Sequence, residues 1–465
     1  MTMPATTKIR NISIVAASGY GGILAQPGFH CRAEMLLPTQ ISNGSMGRKS
    51  SFGRISTEVT RCCTMRPGVD SGSATDRNPP VELDSCSTPD QLVATPPNQP
   101  HSSSYTKGLV FDKGPAGSWD SAATGSPVVK RYIGDDEERW YMWYHGRSDG
   151  SQASDSVGLA LSKNGIHWAW GGGAVRSCGD TGLVLNSQDN WWAFDTKSIR
   201  PSELVIMSSP MYSSVYWLYY TGCSSDEVRI PEDVKILFQA GSGVNKIYKS
   251  LPGLACSQDG RHWGRIEGDH HSGALLDAGS ADEWDSLFIA APSVVLHGAD
   301  DLRMYYHSFD ARSNHFCIGM ARSRDGIRWV KLGRIMGGGA TGSFDELGSM
   351  SPNVVRNPRE GNYLMAYEGL SATGARSIGL AESPDGLTNW ARVGKDPFPV
   401  LEPSGEDGWD SRSVGSPCLV QMDGSSAGWR LYYEGMGRDG RTGIGMATCK
   451  GKEPTSFRRW EGFHC

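Results

Sequence analysis

Five aspartates recur in one local pattern, in which an aromatic residue precedes the aspartate and a proline follows before a β-branched run. The copies read GSWDSAATGSPVV from Gly117, AFDTKSIRPSELV from Ala193, EWDSLFIAAPSVV from Glu283, SFDELGSMSPNVV from Ser343 and GWDSRSVGSPCLV from Gly408. The aspartates are Asp120, Asp195, Asp285, Asp345 and Asp410. A carboxylate at a strand entrance either serves acid–base chemistry or accepts backbone N–H groups. Because acid and base must differ in environment, recurrence favours a structural role. Asp120 and Asp285 remain candidate catalytic residues, and Asp195 a candidate substrate contact.

A second column differs from copy to copy. It follows a pair of aromatic residues in WYMWYHG from Trp140, YWLYYTG from Tyr216, LRMYYHS from Leu302, NYLMAYEG from Asn362 and WRLYYEG from Trp429. The residues are His145, Thr221, His307, Glu368 and Glu434. An antiparallel second strand ends beside the start of the first, so these side chains should converge at one end. Glu368 and Glu434 are candidate catalytic residues, and His145 and His307 candidate substrate contacts. Alternatively, each pairs with a neighbouring arginine or loop backbone.

Three further features could bind a ligand. Arg200 is the sole charged residue directly before an inner-strand proline, and it either grips a carboxylate or phosphate or pairs with a recurring aspartate. Trp191 and Trp192 are candidates for stacking on a sugar ring. The adjacent His270 and His271 indicate a solvated loop rather than a metal site. No metal or cofactor is expected.

The elements that must position these residues are repeated strands. A third recurring part reads GLALSKNGIHW from Gly158, GLACSQDGRHW from Gly253, GMARSRDGIRW from Gly319 and GLAESPDGLTNW from Gly379, with a degenerate copy from Gly445. Asn-Gly and Asp-Gly predict tight two-residue hairpin turns with positive φ. Four strands per unit, repeated radially, predict an all-β protein with a five-bladed β-propeller. The predicted blades lie near residues 117–170, 190–267, 283–333, 343–394 and 408–461. The run GLVF from Gly108 is expected to close the ring against the last blade.

Composition narrows the class of protein. The 465 residues carry a net charge of −5, with 59 Gly, 15 Trp and 16 Tyr, which is typical of a turn-rich β protein. Near-balanced charge argues against a nucleic-acid partner, and no uninterrupted apolar stretch is long enough to predict a membrane span. The 11 cysteines contain no C-x-x-C pair, which favours idle thiols in a reducing compartment.

The N-terminal region differs from the repeats. Residues 1–33 contain no Asp or Glu, and serines and arginines are frequent through residue 57. This composition predicts an organelle transit peptide over residues 1–69, with the chloroplast as the destination; a mitochondrial address and a cytoplasmic tail are the alternatives. Residues 70–104 predict a flexible Pro/Ser-rich linker, and residues 105–465 the propeller.

The repeats resemble those of the arabinanase, levansucrase and invertase superfamily, which includes glycoside hydrolase families 43 and 32. The resemblance covers about residues 108–461 and, with the transit composition, points to a plant protein. It implies three acids at the mouth of a central funnel, with the aspartates directly before the inner-strand proline. Those positions here hold Ser126, Arg200, Ala291, Ser351 and Ser416, and Ile289, Ala290 and Ala291 stand where the glutamate is expected.

The resemblance implies a glycoside hydrolase-like protein that acts on or binds a carbohydrate or small polyol and possesses the fold to hydrolyse O-glycosidic bonds. The alternative is a non-catalytic propeller that binds sugar or protein. A third reading, a transferase that uses phosphate, would employ Arg200 and Arg147. The sequence leaves the oligomeric state open.

Overall fold

The computed structural model describes ten stretches of the chain and two additional strands. The stretches are residues 106–133, 137–150, 154–177, 179–209, 212–229, 248–298, 300–394, 398–423, 428–451 and 454–462. The additional strands, β1 (Ile12–Ala16) and β2 (Cys31–Met35), pair antiparallel. The remainder of the predicted transit peptide and the whole predicted linker lie outside the described residues, so both stay predictions.

Every regular element in the described part of the chain is a β-strand. After β3 (Leu109–Asp112), five antiparallel units of four strands follow one another. Unit 1 contains β4 (Ala123–Ile133), β5 (Glu138–Arg147), β6 (Ser156–Ser162) and β7 (Trp168–Ala169), with β8 (Gly182–Leu185) beside β6. Unit 2 contains β9 (Ser198–Ser209), β10 (Tyr212–Glu227), β11 (Tyr248–Ser257) and β12 (Gly264–Ile266).

The remaining units have the same order of strands. Unit 3 contains β13 (Ala290–Gly298), β14 (Asp301–Asp310), β15 (His315–Ser323) and β16 (Val330–Met336). Unit 4 contains β17 (Gly348–Arg356), β18 (Tyr363–Leu370), β19 (Arg376–Ser383) and β20 (Ala391–Val393). Unit 5 contains β21 (Ser413–Met422), β22 (Gly428–Met436), β23 (Thr442–Lys450) and β24 (Arg458–Arg459). The first strand of each unit is called its inner strand below.

Neighbouring units meet through their inner strands and through an apolar core between their sheets. The inner strands β4, β9, β13, β17 and β21 lie side by side in chain order, and β21 also contacts β4. Between units 1 and 2, for example, the buried Trp143 and Leu159 share one cluster with Leu204 and Leu218. Burial between the sheets of neighbouring units removes large aromatic surfaces from water, which is the main stabilising contribution in such a fold.

The third strand of each of the first four units ends in a wider turn than the Asp-Gly pattern predicts. In unit 3, Ser323 Oγ accepts from Gly326 N at 2.8 Å, and Asp325 Oδ1 accepts from the N–H groups of Ile327 and Arg328 at 2.9 and 2.8 Å. Gly326 has φ of 74°, whereas Asp325 is not among the residues with positive φ. The prediction of a two-residue turn is therefore wrong, because the aspartate side chain holds the loop instead of its backbone adopting a left-handed conformation.

The glycine of that turn connects one unit to the next. Its carbonyl accepts a hydrogen bond from a second-strand aromatic residue of the preceding unit. The pairs are Trp143 Nε1 to Gly260 at 2.9 Å, Tyr219 to Gly326 at 3.2 Å, Tyr305 to Gly386 at 2.6 Å and Tyr432 to Gly165 at 2.8 Å. The last pair joins unit 5 to unit 1 in the same manner in which earlier units are joined.

The short run before unit 1 also joins the two ends of the repeat array. Strand β3 pairs antiparallel with β23 of unit 5, with Phe111 opposite Ile444. The Phe111 ring contacts Tyr144 of unit 1 at a centroid distance of 4.7 Å. The prediction that this run lies against the last unit is confirmed. Within the described residues, the structure contains no helix long and apolar enough to cross a membrane.

Candidate active site at one end of the inner strands

The five recurring aspartates are buried within their own units. Each has an exposed fraction of 0–1% and accepts a hydrogen bond from a second-strand tyrosine. The pairs are Asp120 with Tyr144 at 3.0 Å, Asp195 with Tyr220 at 3.0 Å, Asp285 with Tyr306 at 2.9 Å, Asp345 with Tyr367 at 3.0 Å and Asp410 with Tyr433 at 3.0 Å. Burial and then the aspartate charge raise the pKa of these tyrosine hydroxyls well above the usual value.

A fourth-strand cation completes the contact in four of the five units. The cations are Arg265 on Asp195 at 2.8 Å, Lys331 on Asp285 at 2.8 Å, Arg392 on Asp345 at 2.7 Å and Arg459 on Asp410 at 2.8 Å. Asp120 instead accepts from Trp170 Nε1 at 2.6 Å and Ser118 Oγ at 2.8 Å. The aspartates thus bind strands of one unit together, and these contacts fit the structural alternative.

The aromatic residue before each aspartate rests on glycines of the second and third strands. A methyl group added at Gly158 would lie 2.2 Å from the Trp119 ring, and one added at Gly146 would lie 2.4 Å from it. In unit 4, methyl groups at Gly369 and Gly379 would meet the Phe344 ring at 2.5 and 2.4 Å. The repeated glycines are therefore required because the ring occupies the space of a side chain.

The second-strand column contacts the following unit. In four units its side chain accepts a hydrogen bond from the backbone N–H of the residue before the next inner-strand proline. The pairs are Thr221 Oγ1 with Ala291 at 2.8 Å, His307 Nδ1 with Ser351 at 3.2 Å, Glu368 Oε2 with Ser416 at 3.2 Å and Glu434 Oε2 with Ser126 at 3.0 Å. These are contacts that the structural alternative for the column expected. They also fix each side chain at the same end of the inner strands.

A backbone irregularity presents those N–H groups. Ser126, Ala291, Ser351 and Ser416 have φ of 45°, 49°, 45° and 45°, a left-handed conformation that is uncommon outside glycine. Each lies where the strand register shifts, which is the signature of a β-bulge. The bulge turns the pre-proline N–H away from its own sheet and towards the preceding unit.

Three members of the column follow one another through two glycines. Gly415 stands opposite Glu434 in the register of β21 and β22, and a methyl group there would lie 2.3 Å from Glu368 Oε2. Gly125 stands opposite His145 in the register of β4 and β5, and a methyl group there would lie 2.2 Å from Glu434 Oε2. We call the end of the inner strands that carries His145, Thr221, His307, Glu368 and Glu434 the mouth. The sequence prediction that this column converges at one end agrees with the placement.

The two glutamates of the mouth have different surroundings. Glu368 is 4% exposed, and its Oε1 accepts from Arg376 Nη1 at 2.8 Å. Glu434 is half-buried, and its Oε1 has no hydrogen-bond partner among the described residues. One carboxylate is thus paired and enclosed, and the other retains an oxygen for a ligand.

Arg200 pairs with a carboxylate that the sequence analysis did not single out. Its Nε donates to Asp155 Oδ2 at 2.6 Å, and Arg147 Nε donates to Asp155 Oδ1 at 2.6 Å. Burial opposes ionisation of Asp155, but Arg200, His145 and Arg147 outweigh it and hold the pKa of this carboxyl well below its usual range. Burial likewise disfavours the charge of Arg200, and Asp155 and Glu434 raise its pKa overall. The pairing partner is therefore not one of the recurring aspartates.

Both mouth histidines are neutral at pH 7. Burial and then the charge of Arg200 lower the pKa of His145 to about 4, although Glu434 and Asp155 act in the opposite direction. Burial and then Arg376 lower the pKa of His307 to about 3. His145 is 2% exposed, and its Nδ1 has no partner in the part of the chain that the structure describes.

Asp155 and Arg376 occupy equivalent positions that the sequence analysis missed. Each stands three residues before the glycine of the third strand, and the corresponding residues of the other units are Ser250, Phe316 and Thr442. Copy-to-copy disagreement at this position is the same signal that singled out the second-strand column. The recognisable third-strand pattern begins only at the glycine, so the position falls just outside the repeat.

The remaining predicted ligand contacts lie apart from these pairs. Trp191 and Trp192 belong to the loop before unit 2 and are 91% and 41% exposed. The rings of His270 and His271 lie 4.0 Å apart, and His270 Nδ1 contacts Ser272 Oγ at 2.7 Å. Among the described residues, no group of three His, Cys, Asp or Glu side chains is arranged to hold a metal ion.

A buried ion pair lies between the inner strands. Glu203 of unit 2 is 4% exposed and accepts from Lys130 Nζ of unit 1 at 2.7 Å. Its other oxygen accepts from Ser293 Oγ of unit 3 at 3.2 Å and from Asn353 Nδ2 of unit 4 at 3.4 Å. One carboxylate therefore contacts three other inner strands, which places it near the axis about which the units are arranged.

Comparison with known proteins adds a family and a fold. No protein-family model matches the chain. Over 223 residues it is 31% identical to "Uncharacterized protein Rv1502" of Mycobacterium tuberculosis (strain ATCC 25618 / H37Rv), a match that covers 46% of this chain and 67% of that protein. The chain belongs to the Rv1502 family. "Uncharacterized protein MT1551" of M. tuberculosis (strain CDC 1551 / Oshkosh) matches with the same identity and coverage.

Solved structures show which fold this Rv1502 family member has. A structure described as "Glycoside hydrolase" matches with a TM-score of 0.51 and 15% identity, covering 76% of this chain and 94% of that protein. A second structure, a complex of BT0996 with RGII, matches with a TM-score of 0.51, 16% identity and the same coverage. The chain therefore has a glycosidase-like, all-β propeller fold. Membership of glycoside hydrolase families 43 and 32 and a plant origin are finer statements, and they stay predictions.

Proposed function

We propose that this Rv1502 family member is a five-bladed propeller that binds a carbohydrate at the mouth and hydrolyses an O-glycosidic bond there. Five blades are supported by the five four-stranded units and by the contacts between unit 5 and unit 1. The glycosidase-like fold supports a carbohydrate ligand by analogy. The chemistry has to be argued from the side chains of the mouth.

The observation that carries the proposal is the pair of glutamates beside Gly415. Glycoside hydrolysis requires two carboxyl groups with different tasks, one that donates a proton and one that acts as base or nucleophile. Glu368 faces the Arg376 cation, which suits the ionised role, whereas Glu434 keeps one oxygen unpaired, which suits contact with the glycosidic oxygen. We assign Glu434 as proton donor and Glu368 as base or nucleophile.

Other candidate residues receive different roles in this proposal. Asp120 and Asp285 are enclosed by partners of their own units, so we give them a structural role. The same reasoning applies to Asp195 as a substrate contact. His145, Arg200 and His307 remain proposed contacts for the carbohydrate, because they lie at or beside the mouth. Trp191 and Trp192 remain proposed stacking residues on account of their exposure.

The proposal is tested by turnover of the full chain. α-L-Arabinosides, β-D-xylosides, sucrose and fructans are supplied with and without phosphate, and product release is measured. Hydrolysis that is lost in Glu434→Gln and in Glu368→Gln, with unchanged melting temperatures, supports both assigned roles. Turnover that requires phosphate would indicate a transferase in place of a hydrolase.

A non-catalytic sugar- or protein-binding propeller is the second candidate. It is favoured by Ser126, Ala291, Ser351 and Ser416 at positions where the resemblance implies acids, and by the backbone contacts of Glu368 and Glu434. Ligand-induced melting shifts without turnover would support this candidate.

The predicted chloroplast location forms part of the same proposal. It is supported by the acid-poor composition of residues 1–33. A fluorescent protein fused behind residues 1–69 tests it, because a transit peptide directs the fusion into chloroplasts and a cytoplasmic tail leaves it outside.

A further inference from the structure

Two arginines share one buried carboxylate beside the mouth. Arg147 and Arg200 reach the two oxygens of Asp155 through Nε, each at 2.6 Å. The Asp155 side chain is 3% exposed, whereas those of Arg147 and Arg200 are 38% and 37% exposed. The terminal nitrogens of both arginines have no hydrogen-bond partner among the described residues. Asp155 thus holds two guanidinium groups in place and leaves their outer nitrogens available.

The charge of this group is not balanced internally. Asp155 is ionised at neutral pH, since its pKa lies below the usual range, and both arginines are cations. The three side chains therefore carry one net positive charge. A guanidinium group with free terminal nitrogens binds carboxylate or phosphate oxygens in a bidentate manner. A single negative charge on a ligand would neutralise the group.

His145 adds a second, independent indication of a ligand. It is 2% exposed, its Nδ1 has no partner among the described residues, and the charges of Arg200 and Arg147 act on its ring. A buried polar atom without a partner is rare in a folded protein and is commonly satisfied by a bound molecule or water. His145 stands opposite Gly125, on which the Glu434 carboxylate lies.

We propose that Arg147 and Arg200 form a clamp for the carboxylate of an acidic sugar, with His145 as an additional hydrogen-bonding group. This inference rests on the proposed function, because the clamp adjoins the assigned proton donor Glu434. One net positive charge matches a sugar carboxylate, whereas phosphate carries about 1.5 to 2 negative charges at pH 7. A uronic acid residue would therefore be the ligand, with its carboxylate on the arginines and its ring beside Glu434.

Calorimetric titration of the full chain tests the clamp. Glucuronate and galacturonate are compared with glucose and galactose, which lack the carboxylate, and with inorganic phosphate. We expect each uronate to bind at least about tenfold more tightly than its neutral counterpart, since hydrogen bonds between charged groups are strong. Arg200→Gln and Arg147→Gln should each remove that preference, and Arg200→Lys should restore only part of it.

A matched control separates local from general effects. Arg322 also donates through Nε to an aspartate, Asp301 Oδ1 at 2.8 Å, but it lies at the opposite end of unit 3. Arg322→Gln should leave the preference for uronate intact. Melting temperatures establish that each variant is folded, and Arg200→Lys keeps the charge beside Asp155 if the glutamine variant is not.

The outcomes distinguish this inference from the proposed function. Equal binding of uronate and neutral sugar, with both lost in Glu434→Gln, overturns the clamp and leaves the carbohydrate site standing. Binding of phosphate without a preference for uronate shows that the arginines serve a free anion, and it overturns the acidic-sugar ligand. Uronate binding that survives both glutamine substitutions likewise overturns the clamp. Absence of binding by every sugar contradicts the clamp and the carbohydrate site together.

Discussion

The carboxylate of Glu434 accepts a hydrogen bond of 3.0 Å from the backbone N–H of Ser126, a residue 308 positions earlier in the chain. The contact joins the last unit to the first, and it places the carboxylate against Gly125. Glu368 and Ser416 form the same contact between units 4 and 5 at 3.2 Å. A contact that holds two units together therefore also sets the position of each proposed catalytic group.

Gly125→Ala tests that relationship without altering the carboxylate. The added methyl group would lie 2.2 Å from Glu434 Oε2, so the side chain has to move away. We expect turnover to fall at least about 100-fold, as for loss of a positioned proton donor. Gly264→Ala is the matched control, because a methyl group there meets no atom within 4 Å. Full activity of a folded Gly125→Ala protein would separate Glu434 from the chemistry.

The recurring aspartates are predicted to contribute stability in proportion to their partners. Asp345 is paired with Arg392 at 2.7 Å, so Asp345→Asn leaves a partly buried cation unpaired and should cost about 3–5 kcal/mol. Asp120 accepts only from neutral groups, and Asp120→Asn should cost about 1–3 kcal/mol. Urea unfolding measures both. A stable but inactive Asp120→Asn protein would restore the catalytic role that the sequence allowed.

Stability is predicted to depend on pH through His307. Burial and Arg376 lower its pKa in the folded chain to about 3, whereas an unfolded histidine titrates near 6.5. The unfolded state therefore binds more protons than the folded state between these values, and the contribution is present above about pH 6.5 and lost as the pH falls. The free energy of unfolding should fall by up to about 1.4 kcal/mol per pH unit from this group.

The substitution His307→Gln isolates that contribution from other titrating groups. Urea unfolding of both proteins at pH 7, 6 and 5 should give a shallower pH dependence for the variant. Equal slopes for the two proteins would show that His307 titrates as an ordinary histidine.

The ion pair between the inner strands is predicted to be strongly coupled. Glu203→Gln and Lys130→Met each leave one charge without its partner, and each should cost about 3 kcal/mol or more. The double variant should be more stable than the sum of the two losses implies, because neither charge remains. A double-mutant cycle by urea unfolding measures this coupling. Additive losses would show that the 2.7 Å contact contributes nothing to folding.

The repeats made the order of strands predictable, because alternation and turn residues act over short stretches of chain. They also predicted which second-strand residues converge at the mouth. The contacts between units were not predictable in this way. Lys130 and Glu203 are 73 residues apart, and Arg200 and Asp155 are 45 apart, so no local pattern reports either pair.

One signal of the mouth was nevertheless present in the sequence. Gly-Ser-Pro occurs at the inner strands of units 1 and 5, and the preceding units in the ring carry Glu434 and Glu368. Units 3 and 4 have Ala290 and Met350 at the glycine position, and they follow units with the smaller Thr221 and the histidine His307. The glycines make room for glutamate, so the pairing could be recognised only when neighbouring copies were compared.

The most direct test of the central claim compares turnover of Glu434→Gln with that of Glu382→Gln. Glu382 is an exposed residue of β19, away from the mouth, and its substitution keeps the same change of side chain. With a glycoside that the full chain hydrolyses, we predict loss of at least about 100-fold in Glu434→Gln and none in Glu382→Gln, with both proteins folded. Equal turnover in the two variants would contradict the assignment of the mouth as the catalytic site.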